Sequence, residues 1–216
     1  MQVLEPGGGL AAQGIDLRLW RIDLDAATFE DDTPSPAEFQ RAARFVRAGE
    51  GRRYLASHAA LRHLLGVRDG WISGDNGKPA LVSPPPYFNL SRRGGVAVIG
   101  LSHTHEIGVD VEPLQPMADA SELAQLHFTP RERDEVARAG GAARDQAFLR
   151  CWTRKEACMK ATGRGLWLAP STFECGADAA TERVQVRSHG REWSLLVYSP
   201  EEQDRDIVVS WAVVLA

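Results

Sequence analysis

Two stretches of this chain carry side chains that could do chemistry together. In the first, Phe148, Trp152, Glu156 and Lys160 follow one another at intervals of four. On a helix that spacing puts them on one stripe, which begins aromatic and ends in an acid and a base. An acid at the apolar end of such a stripe is costly to bury unless something pairs with it. Lys160 and a metal ion are both available as partners. Taken alone, the pair reads first as a surface contact at i,i+4 spacing, worth about 0.3–0.5 kcal/mol. In the second stretch, Ile107-Gly108-Val109-Asp110-Val111-Glu112-Pro113 alternates as a strand does. Val109 and Val111 share one face, Asp110 and Glu112 the other. Two carboxylates on one face repel, and without a cation between them one prefers to be protonated. A hard divalent ion such as Mg²⁺ resolves this, because it takes oxygen ligands and keeps waters that a phosphate can replace. A lone D-x-E is as readily a solvated strand end. Glu156 adds a third oxygen if its helix packs over the strand.

G-V-D-V-E at 108–112, followed about forty residues later by W-T-R-K-E-A-x-x-K at 152–160, resembles the paired signature of the 4′-phosphopantetheinyl transferases. The closer likeness is to the larger, Sfp-type branch, whose chains have two similar halves. The resemblance runs from about Arg44 to Leu168. It implies an α+β fold of two halves related by a pseudo-twofold, with the active site between them. The halves are expected at residues 1–108, on the coenzyme A phosphate and adenine side, and 109–216, with the metal strand, catalytic helix and C-terminal strands. It also implies a Mg²⁺-dependent enzyme that moves the phosphopantetheine arm of coenzyme A to a serine of an acyl- or peptidyl-carrier protein, releasing 3′,5′-ADP. Asp110, Glu112 and Glu156 are the implied metal ligands. Glu156 is the expected general base, directly or through water, and Lys160 the residue that steadies the pyrophosphate. Trp152 and Phe148 are expected to hold the helix against the core and keep Glu156 aimed.

The remaining motifs are weaker. Arg41, Arg44, Arg47, Arg52, Arg53 and Arg62, with His58 and His63, make a basic region across two helices. Guanidinium groups suit phosphate, but a solvated face balanced by the acidic linker Asp25–Thr33 explains the same charges. The resemblance places coenzyme A phosphates here, with Arg47 and Arg53 as candidates. It also sets Gly77-Lys78-Pro79 beside the adenine nucleotide, although Gly and Pro by themselves mark only a loop. Ser91-Arg92-Arg93-Gly94-Gly95 reads as a basic hairpin tip, equally a phosphate site or a soluble turn. Two positions depart from the family. Asn89-Leu90-Ser91-Arg92 stands where N-x-S-H is usual, and His58 stands where an arginine is usual. The arginine and histidine have traded places, and the pair is expected to serve the same phosphate from opposite walls. The departures also motivate an alternative: a degenerate relative that binds coenzyme A or a carrier protein without efficient transfer. An unrelated Mg²⁺-dependent phosphohydrolase is a third reading.

The positioning elements are legible in the pattern. Ile15–Leu24 alternates as a strand, and Met1–Leu4 suits a short one. Ser35-Pro36-Ala37-Glu38 and Thr129-Pro130-Arg131-Glu132 are capping boxes with proline at the first helical position. The first opens a helix carrying Phe39, Ala42, Ala43 and Val46. A second helix runs from about Gly51 to Leu65, with Tyr54, Leu55, Leu61, Leu64 and Leu65 on its core face and Gly66 as its stop. Short strands are expected over Tyr87–Ser91 and Val96–Leu101, then a helix over Asp119–Phe128. The chemical helix runs from about Arg144 to Ala161, closed by Gly163. Strands follow near Thr172–Cys175, Arg183–Arg187, Trp193–Tyr198 and Ile207–Val214. His103-Thr104-His105-Glu106 reads as a solvated turn rather than a metal site.

The totals bound the class. The chain has 216 residues, 44% of them hydrophobic, enough for a sizeable core in one domain or two small ones. A net charge of -4 argues against a nucleic-acid protein held by charge alone. No apolar run approaches a membrane span, and no secretory signal is visible. Cys151, Cys158 and Cys175 are an odd number and make no disulfide framework. The cytoplasm is the expected compartment. The larger branch implies a monomer serving secondary metabolism.

Overall fold

In the computed structural model, residues 1–7, 9–28, 33–67, 71–73, 77–178, 180–200 and 206–215 are described. The polar turn that the sequence pattern puts at Ser73–Asn76, before Gly77, and the linker at Asp25–Thr33 fall partly outside them, at 74–76 and 29–32. The strands are β1 (Gln2–Leu4), β2 (Arg18–Asp23), β3 (Trp71–Ser73), β4 (Pro79–Leu81), β5 (Tyr87–Arg93), β6 (Val96–Ser102), β7 (Ile107–Pro113), β8 (Glu182–Ser188), β9 (Arg191–Tyr198) and β10 (Ile207–Leu215). The helices are α1 (Pro36–Ala42), α2 (Ala48–Leu65), α3 (Ala120–His127), α4 (Pro130–Ala139) and α5 (Gly141–Ala161).

Two four-stranded sheets organise them, in the orders β1-β2-β6-β5 and β7-β10-β9-β8. All their ladders are antiparallel. In each sheet the leading strand pairs with the last strand of its unit, and that strand with the one before it: β2–β6–β5 and β7–β10–β9. Helices lie between the leading strand and the hairpin both times. This is the α+β arrangement of two similar halves.

Period-two alternation decides what each strand face meets. Val96 and Val98 of β6, Ile107, Val109 and Val111 of β7, and Val209, Trp211 and Val213 of β10 share one core between the sheets. Ala97, Ile99 and Leu101 point the other way and pack with Ala60 and Leu61 of α2. Val208 and Ala212 likewise join Phe148, Leu149, Ala157 and Cys158 of α5. The layers therefore run α2, first sheet, second sheet, α5. The opposite face of β7 carries Gly108, Asp110 and Glu112 toward α5. The sequence places these residues correctly because Val109 and Val111 are drawn into the sheet–sheet core.

Local signals account for most boundaries. Both capping boxes form: Ser35 accepts from Glu38 N while Glu38 accepts from Ser35 N, and Thr129 and Glu132 do the same. Gly163 closes α5 with φ +66, its N–H reaching Lys160 O at 3.2 Å while Arg164 N reaches Met159 O at 3.2 Å. That double bond is a Schellman closure, which needs a left-handed residue. Four expectations are corrected. Thr172–Cys175 is no strand, because a 3-10 turn occupies Pro170–Thr172 and the Cys175 amide is spent on Glu132. β2 starts at Arg18 rather than Ile15, since pairing with β6 begins there. β5 runs through Arg93, so the hairpin tip is only Gly94-Gly95. The first helix ends at Ala42, so Ala43 caps it and Val46 lies beyond it, and its inward residue is Glu38, which accepts from Arg62 Nη1 at 2.6 and 2.7 Å. All three cysteines are buried and free.

Candidate functional site

From Ala147 onward α5 is buried except at Arg150, Trp152, Glu156 and Lys160, which are half-buried. The aromatic part of the stripe is held at the α3 end. Phe148 stacks between Phe128, at 5.1 Å between centroids, and Trp152, at 6.1 Å, and His127 meets Trp152 edge-on at 5.5 Å. Further along, α5 and β7 come as close as backbones can. A Cβ on Gly108 would collide with the Ala157 carbonyl and the Ala161 amide. Glycine is thus required by space at 108.

This approach brings Lys160 to Asp110. Its Nζ donates to Asp110 Oδ1 at 2.6 Å and to Ser91 Oγ at 3.0 Å, and Ser91 Oγ donates to the same Oδ1 at 2.8 Å. The i,i+4 pairing of Glu156 with Lys160 is not made. Among the described residues Glu156 has no hydrogen bond or ion pair. Burial raises its carboxyl above the usual range, the Asp110 charge adds to the rise, and Lys160 offsets part of it. Glu112 is raised for the same first reason, burial, with Arg93 and Lys160 opposing and Asp110 and Glu156 adding. Arg93 Nε sits 3.1 Å from Glu112. The strand itself is gripped from the neighbouring sheet, where Asn89 Oδ1 accepts from Val109 N at 2.8 Å.

The three acids therefore share one electrostatic neighbourhood. Their oxygens are not drawn into one shell, however. Among the described residues, only Glu132, Cys151 and Cys175 bring three ligand atoms all within 4.8 Å of one another. Lys160 and Arg93 each hold one acid instead. The donor set still suits a hard divalent cation: it is all oxygen, and Asp110 Oδ2 is buried without a partner. Side-chain rotation of Glu112 and Glu156 would be needed to close the shell.

A cleft of about 680 Å³ opens beside this cluster, lined by Arg47, Glu50, Ser91, Arg92, Arg93 and Lys160 among others. Its size suits a small-molecule ligand. Arg92 lies over Phe45 at 5.2 Å and Tyr54 at 5.5 Å, with Glu50 at 3.5 Å. His58 packs on the same Tyr54, at 4.1 Å between rings, and its Nδ1 lies 3.1 Å from Tyr54 O. Burial lowers the His58 pKa and favours a neutral imidazole. The exchanged arginine and histidine thus meet on one tyrosine.

Two residues expected at the coenzyme, Arg53 at its phosphates and Lys78 beside its adenine nucleotide, are committed elsewhere. Arg53 spends its guanidinium on Asp25, at 2.7 and 2.9 Å, and on Glu50 at 2.8 Å. Lys78 donates to Glu106 Oε2 at 2.6 Å, Ile107 O at 2.9 Å and Ala161 O at 3.3 Å, which uses all three ammonium hydrogens. It ties the end of α5 to the start of β7. Pro79 begins β4, half-buried, and neither residue lines the 680 Å³ cleft. The 103–106 turn is organised by Asp16, which accepts from the His103 and Thr104 amides and from the hydroxyls of Ser102 and Thr104. Sequence reading missed Asn89 as a grip on β7 and Glu50 as a cleft residue. An asparagine inside a strand pattern was the available signal for the first.

Comparison with known proteins agrees with this layout. The model of the 4′-phosphopantetheinyl transferase superfamily matches residues 106–212, which span β7, α5 and most of β10. The 4′-phosphopantetheinyl transferase HetI of Nostoc is 35% identical over 207 residues, 87% of this chain and 84% of the relative. The 4′-phosphopantetheinyl transferase AcpT of Escherichia coli K12 is 33% identical over 150 residues, 69% and 76% of the two chains. The transferase ffp of Bacillus subtilis, from the Sfp-type branch, is 23% identical over 171 residues, 73% and 75%. With the signature residues gathered around α5 and β7 and relatives matched along most of its length, the chain belongs to the 4′-phosphopantetheinyl transferase superfamily and is an enzyme of that class.

Proposed function

We propose that this enzyme transfers the 4′-phosphopantetheine group from coenzyme A to a serine of an acyl- or peptidyl-carrier protein, with Mg²⁺, and releases 3′,5′-ADP. The observation that carries the reading is the contrast inside the cluster. Lys160, Ser91 and Asp110 are bonded to one another, while Glu156 stands beside them with a raised carboxyl and, among the described residues, no partner. A base for a serine hydroxyl needs that freedom and an elevated proton affinity. Glu156 takes the hydroxyl proton, directly or through water. Lys160 has an ammonium at the cleft wall and faces the pyrophosphate as charge develops there. Arg47 and Arg92 line the same cleft and offer guanidinium donors to the phosphates. The Arg92–Tyr54–His58 stack serves one phosphate with one guanidinium and one imidazole. Asp110, Glu112 and Glu156 would hold the ion, which when bound neutralises phosphate charge. Phe148, Trp152, Gly108 and Asn89 fix the two backbones on which these groups ride.

The division into halves at 108/109 belongs to the same proposal, as do monomeric action, a cytoplasmic setting and service to secondary metabolism. No helix among the described residues is long and apolar enough to cross a membrane.

The test is to incubate the protein with apo-carrier proteins, coenzyme A and Mg²⁺, and to weigh the carriers. The expected result is a mass gain of one phosphopantetheinyl group on serine, abolished by EDTA. Binding of coenzyme A with no gain on fatty-acid, polyketide or peptide carriers would instead support a binding relative.

A further inference from the structure

Arg93 belongs to neither half of the family signature and lines the cleft all the same. It is the last residue of β5, before the Gly94-Gly95 turn. Its guanidinium sits 3.1 Å from Glu112, a side chain only 17% exposed, while its own side chain is 62% exposed. Its neighbour Arg92 is packed over two aromatic rings and beside Glu50; no ring contact holds Arg93 among the described residues. Lys160 holds Asp110 from the other side at 2.6 Å. Among the described residues the three acids do not, meanwhile, bring three ligand atoms within 4.8 Å of one another. Two side-chain cations thus neutralise two of the acids.

We propose that Arg93 is a resident counter-ion of the acid cluster and a phosphate-binding residue in turn: it holds Glu112 in the free protein, then yields it to a divalent cation and takes a phosphate oxygen of coenzyme A. This rests on the transferase reading above. A salt bridge to a solvent-reaching arginine is weak enough to exchange, and a guanidinium prefers a phosphate to open water. The exchange keeps positive charge in the cleft constant at Arg93 while adding it at Glu112. Cation and coenzyme binding become coupled through one side chain, with opposite signs for its removal.

The experiment measures Mn²⁺ binding without coenzyme, from the loss of free-ion electron spin resonance signal, and coenzyme A binding in Mn²⁺ without carrier, by calorimetry. Arg93→Ala is expected to bind Mn²⁺ about two- to fivefold more tightly, because a competing cation is gone. It is expected to bind coenzyme A about tenfold more weakly. Arg93→Lys restores much of the coenzyme affinity. Unchanged or weaker Mn²⁺ binding in Arg93→Ala overturns the counter-ion role, and unchanged coenzyme binding overturns the phosphate role. Both readouts exclude carrier and turnover. A wild-type protein that binds neither probe removes the transferase reading and this inference together; a wild type that binds both, with Arg93→Ala indistinguishable from it, removes only this inference.

Discussion

Lys155 and Glu156 are consecutive on α5, and the fold treats their charges in opposite ways. Lys155 points inward, 2% exposed, and its Nζ meets Glu132 at 2.8 Å, Phe173 O at 2.7 Å and Pro170 O at 2.8 Å. Phe173 and Phe128 lie beneath the ammonium at 4.7 and 5.8 Å. Glu132 fills its oxygens with the Thr129 and Cys175 amides as well. Burial opposes both charges, yet Glu132 is lowered by Lys155 and these bonds, and Lys155 is raised by its acidic neighbours Cys175, Cys151 and Glu132. On the other side of the helix Glu156 and Glu112 are raised and the acids are incompletely paired. Every hydrogen-bonding position of the first cluster is filled, as a structural tether needs. Among the described residues, the second keeps a buried oxygen and a carboxylate without partners, as a site awaiting ligands needs. Glu132, Cys151 and Cys175 lie close enough for a metal, but the ammonium of Lys155 already stands at Glu132. That cluster is read as part of the tether.

Substitutions test the contrast. The largest effect is expected from Glu156→Gln, which should lower the transfer rate about 10²- to 10⁴-fold by removing the base. The same change should raise the melting temperature at neutral pH, since it removes a charge that burial disfavours. A variant that is both inactive and less stable would place Glu156 with the tether. Next, Lys155→Met leaves Glu132 buried and unpaired and should cost about 3–5 kcal/mol in denaturant unfolding. Glu132→Gln should cost less, because it can still cap the helix.

The pH dependence should separate the clusters by sign. Glu132, lowered in the folded state, contributes stability that is present above its ordinary value of 4.5 and lost as pH falls through its folded value. Glu156 and Glu112, raised in the folded state, contribute stability below that value, lost as pH rises through their folded values. The gain from Glu156→Gln should therefore shrink as the buffer is acidified, while the loss from Glu132→Gln also shrinks but from the opposite direction. Calorimetric melting over pH 4–8 reads the first, and its extension below pH 4 reads the second.

Smaller effects belong to the phosphate side. Exchanging Arg92→His and His58→Arg together should restore coenzyme affinity better than either change alone, since both residues rest on Tyr54; a double exchange no better than the worse single ends that idea. Arg53→Ala should alter coenzyme binding by less than about fivefold, its half-buried guanidinium being already paired with Asp25 and Glu50.

What was legible in the sequence follows from the range of each force. The acids on one face of β7, the capping boxes, α5 and its glycine closure are set by neighbours within a turn or two, and they stand where the pattern puts them. The pairing partners are not local. Lys160 was as free to fold back on Glu156 as to cross to Asp110, fifty residues away. Lys78 carried a nucleotide expectation, and its three bonds to Glu106, Ile107 and Ala161 come from elements distant in sequence. Lys155 read only as part of a motif, because nothing near it announces Glu132. Charge in this chain was visible from the residues, but its destination was set by packing.

The missing side chain at residue 108 has one more consequence. With strand and helix touching through bare peptide, the spacing between β7 and α5 is set by main-chain thickness and leaves no slack to adjust. Even a methyl group would act as a shim, lifting Glu156 and Lys160 off the strand in a single movement. Damage there should surface as simultaneous failure of binding and turnover.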